Sequence, residues 1–137
     1  MNGKHGDMYE VLNKFRNEYH NRSVDAGWWA ELNEVKTYLP ERFYKTVETW
    51  YLAMKISLIH SEVSEMMEGL RKGLDDDHLP LRSMEEVEAA DVLIRLFDYA
   101  GFQGLDLAGA TYEKGEYNMN RSDHKIDSRS EDGGKKF

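Results

Sequence analysis

The chain has 137 residues, a net charge of −8, 40% apolar and 32% charged residues, and no cysteine. That length fits one domain with a modest core, and an acidic chain without a segregated basic patch is set against nucleic-acid backbone. Disulfides, thiolate metal sites and a cysteine nucleophile are excluded, and no apolar run approaches the roughly 20 residues of a membrane span. The opening MNGKHGDMYE carries no apolar signal-peptide core, so the expected compartment is the cytoplasm. An anionic small ligand stays compatible with this charge, because a bound divalent cation reverses the local field.

Residues 1–6 are expected to be loose. From Asp7, a plausible N-cap, the residues Met8, Val11, Leu12, Phe15 and Tyr19 form one apolar stripe, which predicts a helix to about Asn21. Gly27 then breaks the pattern, and Trp28 and Trp29 follow at once. Two roles fit the pair. One tryptophan plugs the core while the other covers a helix end, or the two form an aromatic wall for a base or sugar. Residues 30–38 predict a short helix.

Pro40 suits a first helical turn, and a long helix is predicted over residues 41–71. Its stripe runs through Phe43, Val47, Trp50, Ile56, Ile59, Val63, Met66 and Leu70, with Gly73 as the stop. Residues 74–82 contain DDDHLP and read as a loop. Asp75, Asp76 and Asp77 cannot all face one point, so a solvated loop is expected there rather than a metal site. Ser83 and Glu86 make a capping box for a helix that ends at Gly101. That helix is apolar around most of its circumference, and one narrow polar stripe of Glu88, Asp91, Arg95 and Asp98 interrupts it. Such a helix is usually buried. Asp106 is the expected N-cap of a last helix that carries Lys114, Asn118 and Arg121. The expected organisation is all-α, a four-helix-type bundle over residues 1–121 followed by a polar tail over 122–137.

The chemistry is carried by acids. Glu62 and Glu65 lie three residues apart on one predicted helix, and Glu88 and Asp91 lie three apart on the next. That spacing puts each pair on one helix face, beside the apolar stripe, so all four line the seam between the helices. Four carboxylates in one seam repel each other and lose hydration. Either they open to water or a cation compensates them, and all-oxygen ligands favour Mg²⁺ or Mn²⁺. The competing reading is an ion-pair lattice in which Asp91 pairs with Arg95 and Arg95 with Asp98, which leaves Glu62 and Glu65 without an obvious partner. His60 lies on a different side of its helix and reads as structural. Lys114, Asn118 and Arg121 share one helix face, suited either to phosphate and sugar or to plain solvation. There is no P-loop, and no ExxH pairs of a di-iron bundle.

These residues resemble those of the MazG-like all-α nucleoside triphosphate pyrophosphohydrolases. The family pattern, ExxE on one helix and ExxD on the next followed by a basic helix, is matched by Glu62-Val-Ser-Glu65 and Glu88-Ala-Ala-Asp91. The short phage and bacterial type is matched further by Gly27-Trp28-Trp29, Leu58-Ile59-His60-Ser61-Glu62, Glu113-Lys114, Tyr117-Asn118, Arg121 and Gly133-Gly134-Lys135. The resemblance covers roughly residues 8–121 and the tail motif. The stretch DHKIDSRSED is longer than in relatives, which bears on Lys135, and residues 33–49 also look extended. The resemblance implies Mg²⁺-dependent hydrolysis of a nucleoside triphosphate, deoxynucleoside by expectation, between the α and β phosphates. It implies Glu62, Glu65, Glu88 and Asp91 as metal ligands and Glu65 as the residue that orients or deprotonates the attacking water. Lys114 and Arg121 would stabilise the leaving pyrophosphate, Trp28, Trp29 and Asn118 would contact the nucleoside, and the assembly would be a homodimer or homotetramer. The alternative is a catalytically silent helical module that binds a nucleotide or a partner protein.

Overall fold

The computed structural model describes residues 3–121, 123, 125–130 and 132–133. Its regular elements are all helical: α1 (Gly3–Asp25), α2 (Ala30–Tyr38), α3 (Glu41–Lys72), α4 (Met84–Gln103), α5 (Leu107–Asn120) and α6 (Ile126–Ser130). The one β-type pairing among the described residues is the isolated bridge between Asp75 and Ser83. No described helix is long and apolar enough to cross a membrane. The chain forms two compact units, one of residues 14–105 and one of residues 1–13 with 106–137. The two units part within α1 and at the start of α5.

In the larger unit α3 and α4 pack along each other, and α2 lies against α3. Trp29, Leu32 and Tyr44 are the buried centre of one cluster, with Val35, Leu39, Val47, Tyr51, Leu52 and Phe102 around it. The Trp29 ring stacks on Phe102 with centroids 4.0 Å apart. A second aromatic stack joins α1 to α4, where Phe15 and Tyr19 both lie against Phe97.

Helix ends account for most boundary differences. α1 begins at Gly3, so the expected loose start is helical from residue 3 and Asp7 sits inside the helix rather than capping it. No proline interrupts the ladder there, so the i→i−4 bonds continue. α4 passes through Gly101 and stops at Gly104, which adopts φ 64°. Gly101 is needed for another reason: a Cβ there would collide with the His20 side chain of α1. The glycine thus marks a close helix approach, not a helix end. Gly73 does end α3, in the left-handed conformation at φ 63°. Ser83 caps α4 by accepting from Glu86 N–H at 3.2 Å. The return half of the capping box is absent, because Arg82 takes the Glu86 carboxylate at 2.6 Å.

The acidic loop is not uniformly solvated. Asp75 and Asp77 are exposed, whereas Asp76 is buried. Its Oδ1 accepts from the N–H groups of His78 (2.9 Å) and Leu79 (2.6 Å), so it folds the loop around itself. α4 is less enclosed than its composition suggests: Leu93 is 52% exposed. Of the polar stretch 122–137, the short helix α6 is described, and Lys135 lies outside the described residues.

Candidate metal centre

The packing of α3 on α4 brings three of the four predicted acids to one point. Glu62, Glu65 and Glu88 each offer a carboxylate oxygen, and these oxygens lie within 4.8 Å of one another. Glu62 and Glu88 are buried while Glu65 is exposed. The group therefore opens toward solvent at Glu65 and is closed behind. Burial first, then a hydrogen bond with Glu62 and the charges of Glu65, Glu62 and Asp91, push the Glu88 carboxyl up from 4.5 to about 7. Asp91 is outside the close trio but within its field. Its carboxyl is pushed up by burial and then by Glu62, pulled down by Arg95, and pushed up again by Asp76. A hard divalent cation suits this set, since the donors are all carboxylate oxygens and the negative charge exceeds what the neighbouring residues offset.

The compensation present comes from Arg95, and not in the way the sequence suggests. Arg95 does not link Asp91 to Asp98; its Nε donates to Glu62 Oε1 at 2.7 Å. The reason is geometric. The polar stripe of α4 faces α3, so its members meet partners across the seam before they meet each other. Ser61 Oγ adds a long contact to the same Glu62 oxygen at 3.4 Å.

Asp98, one turn further along α4, is buried in a separate constellation. Trp29 Nε1 donates to Asp98 Oδ1 at 2.8 Å, and His20 Nδ1 lies 3.0 Å from the same oxygen. The Lys55 ammonium lies 3.7 Å from Oδ2. It also sits over the Trp29 ring at 4.4 Å and the Tyr51 ring at 5.5 Å. Burial pushes Lys55 below the usual lysine range, Asp98 pulls it back up, and Arg95 pushes it down. Sequence reasoning placed Asp98 on the polar stripe but had no signal for its partners on α1, α3 and the tryptophan turn. Only the spacing of Lys55, seven residues before Glu62, hints that it shares that face of α3.

The tryptophans divide the two roles considered for them. Trp29 is 1% exposed and plugs the core, with Phe102 on its face and Asp98 on its N–H, which leaves no open ring face for a base. Trp28 is 66% exposed, and its carbonyl accepts from Tyr51 Oη at 2.5 Å. His60 is exposed and is not among the converging acids.

Lys114, Asn118 and Arg121 belong to the other compact unit. There Lys114, Tyr117 and Asn118 line an open groove of about 920 Å³ with Leu107, Ala110 and Thr111. The Asn118 Oδ1 is buried with no hydrogen-bond partner among the described residues. Arg121 is engaged with Asp123 through Nε at 2.9 Å and Nη2 at 2.5 Å, so its guanidinium is not free for phosphate in this arrangement. Lys114 lies 4.5 Å from the Tyr117 ring centre. No protein-family model, curated protein or solved structure matches this chain.

Proposed function

We propose that this chain hydrolyses a nucleoside triphosphate between the α and β phosphates with Mg²⁺ or Mn²⁺, as a MazG-like helical bundle. The observation that carries the reading is the convergence of Glu62, Glu65 and Glu88 across the α3–α4 seam. A divalent ion bound there would neutralise phosphate oxygens and lower the pKa of a water.

The roles of the chain's own groups follow from their burial. Glu62 and Glu88, fixed in the seam, hold the cation, with Asp91 beside them. Glu65 is the exposed member of the trio and is open to solvent. That position suits it to orient a water toward the α phosphorus and take its proton. The groove lined by Lys114 and Asn118 offers an ammonium for phosphate. Arg121 must leave Asp123 before it can meet a phosphate. Trp28 is the aromatic left for stacking on the base. Exposed apolar residues on α3 and α4, among them Trp50, Met67, Leu70 and Leu93, favour a homodimer or homotetramer.

The test is pyrophosphate release from a panel of canonical and modified dNTPs and NTPs, with Mg²⁺ and with EDTA, on wild type and Glu65→Gln. Metal-dependent pyrophosphate and monophosphate, reduced at least about 100-fold in the variant, are expected. Release of single phosphate would refute the assigned bond. Metal binding without turnover on any substrate would leave a nucleotide- or protein-binding module instead.

A further inference from the structure

Arg95 occupies an unusual position for a residue beside a candidate cation site. Its Nε holds Glu62 Oε1 at 2.7 Å, and Glu62 is one of the three converging carboxylates. A divalent ion at the cluster would share this carboxylate with the guanidinium, and the two positive charges would repel each other there. The two partners are enclosed very differently: the Glu62 side chain is 8% exposed and the Arg95 side chain 42%. Glu62 is fixed by its surroundings, while the head of Arg95 can swing outward without unpacking the seam.

Where it would go follows from its neighbours. Asp91 feels the Arg95 charge. Lys55 feels it too, and Lys55 is already held by Asp98 and two aromatic rings. A cation on Glu62 weakens the hold of that carboxylate on the guanidinium, because the ion offsets part of the acids' charge and repels the arginine. With its bond to Glu62 weakened, Arg95 keeps Lys55 as a positive neighbour, and an anionic ligand would relieve that repulsion. The planar fork of arginine matches phosphate oxygens in a bidentate way.

We propose that Arg95 is an exchangeable counterion of the acid cluster: it neutralises Glu62 while no divalent ion is held, and turns to a phosphate of the ligand once an ion takes Glu62. The inference rests on the metal-centre reading above and adds an order to it. Cation binding frees the guanidinium and so creates the anion site. The two ligands are then positively coupled through one side chain, and the coupling is reciprocal.

The experiment is calorimetric titration of Mn²⁺ alone into wild type, Arg95→Gln and Arg95→Lys. Inorganic pyrophosphate is then titrated into each Mn²⁺-loaded protein, with helicity checked by circular dichroism. If Arg95 competes with the ion, Arg95→Gln binds Mn²⁺ about tenfold more tightly, the low end for a charge-assisted bond to a half-exposed group. The same variant, loaded, binds pyrophosphate about tenfold or more weakly. Its melting temperature also rises more on adding Mn²⁺ than that of wild type. Arg95→Lys keeps a cation without the fork and falls between the two, and it decides the comparison should the glutamine variant not fold. Equal or weaker Mn²⁺ binding by the folded variants overturns the proposal, because Arg95 would then hold Glu62 in place for the ion, and it leaves the metal centre standing. No Mn²⁺ binding by wild type or variants overturns the metal centre and this inference with it.

Discussion

Glu88→Gln isolates the electrostatic cost of the acid cluster. The Glu88 carboxyl is raised from 4.5 to about 7, chiefly by burial and then by its hydrogen bond with Glu62 and the neighbouring carboxylates. The folded state therefore holds a proton that the unfolded chain releases between those two values. Stability is full below pH 4.5 and falls as pH rises through about 7. At about 1.4 kcal/mol per pKa unit the ceiling is about 3.5 kcal/mol, and sharing of the repulsion with the water-exposed Glu65 reduces the expected net effect to about 1–2 kcal/mol. A glutamine keeps the shape and a donor for Glu62 but cannot ionise. In EDTA at pH 8 the variant should melt about 4–8 °C above wild type, and at pH 4 the two should coincide. With excess Mg²⁺ the order at pH 8 should reverse, because ion binding to the folded state stabilises wild type and the variant has lost a charged ligand. Thermal melts followed by circular dichroism at the two pH values, with EDTA and with Mg²⁺, give all four comparisons. Equal effects at both pH values, or a less stable variant in EDTA at pH 8, would refute the electrostatic account. Unchanged Mg²⁺ stabilisation in the variant would remove Glu88 from the metal site.

Trp29→Phe keeps most of the buried ring but takes the indole N–H from Asp98 Oδ1. Leaving part of a buried carboxylate unsatisfied should cost about 2–3 kcal/mol in urea unfolding, and a loss under about 0.5 kcal/mol would mean that His20 and Lys55 satisfy Asp98 unaided. Gly69→Ala places a Cβ 2.9 Å from both Glu85 N and the Met84 Cβ. The clash meets backbone at the start of α4, so a loss of about 1–3 kcal/mol and reduced Mg²⁺ affinity are expected together, and an unchanged melting temperature would show that the two helices can separate freely. Ser83→Ala removes the bond that caps α4 and should cost about 1 kcal/mol in the same unfolding assay with little effect on Mg²⁺ affinity.

The helices were legible in the sequence because their signals are local. The stop of α3 at Gly73 and the Ser83 cap each depend on residues within one or two turns, and the structure places them as read, whereas the apolar stripe read on α3 is not its buried face: Phe43, Trp50, Ile56, Val63 and Leu70 are exposed, and the residues buried along the helix are Tyr44, Glu62 and Gly69. The pairing of the acids was legible for the same reason. Three-residue spacing puts Glu62 with Glu65 on a face whatever that face meets, and the narrow polar stripe on an apolar α4 marks where it must meet something polar. Ambiguity remained where one residue type serves two purposes. Gly101 looked like a helix stop, yet it lets α4 approach His20, and that depends on a residue 81 positions earlier in the chain.

Composition and spacing settled for this chain an all-helical architecture and a seam crowded with carboxylates. The tertiary structure alone decided which groups compensate those charges. Arg95 had two acids on its own helix within reach, at four and three residues, yet it turned across the seam to Glu62. Asp98, free to pair locally, took Trp29, His20 and Lys55 from three other parts of the chain. The physical reason is desolvation. A buried charge pairs with whatever donor the packing brings to it, because unpaired burial costs more than any exposed local pair returns, and the packing of distant segments is not written in local spacing.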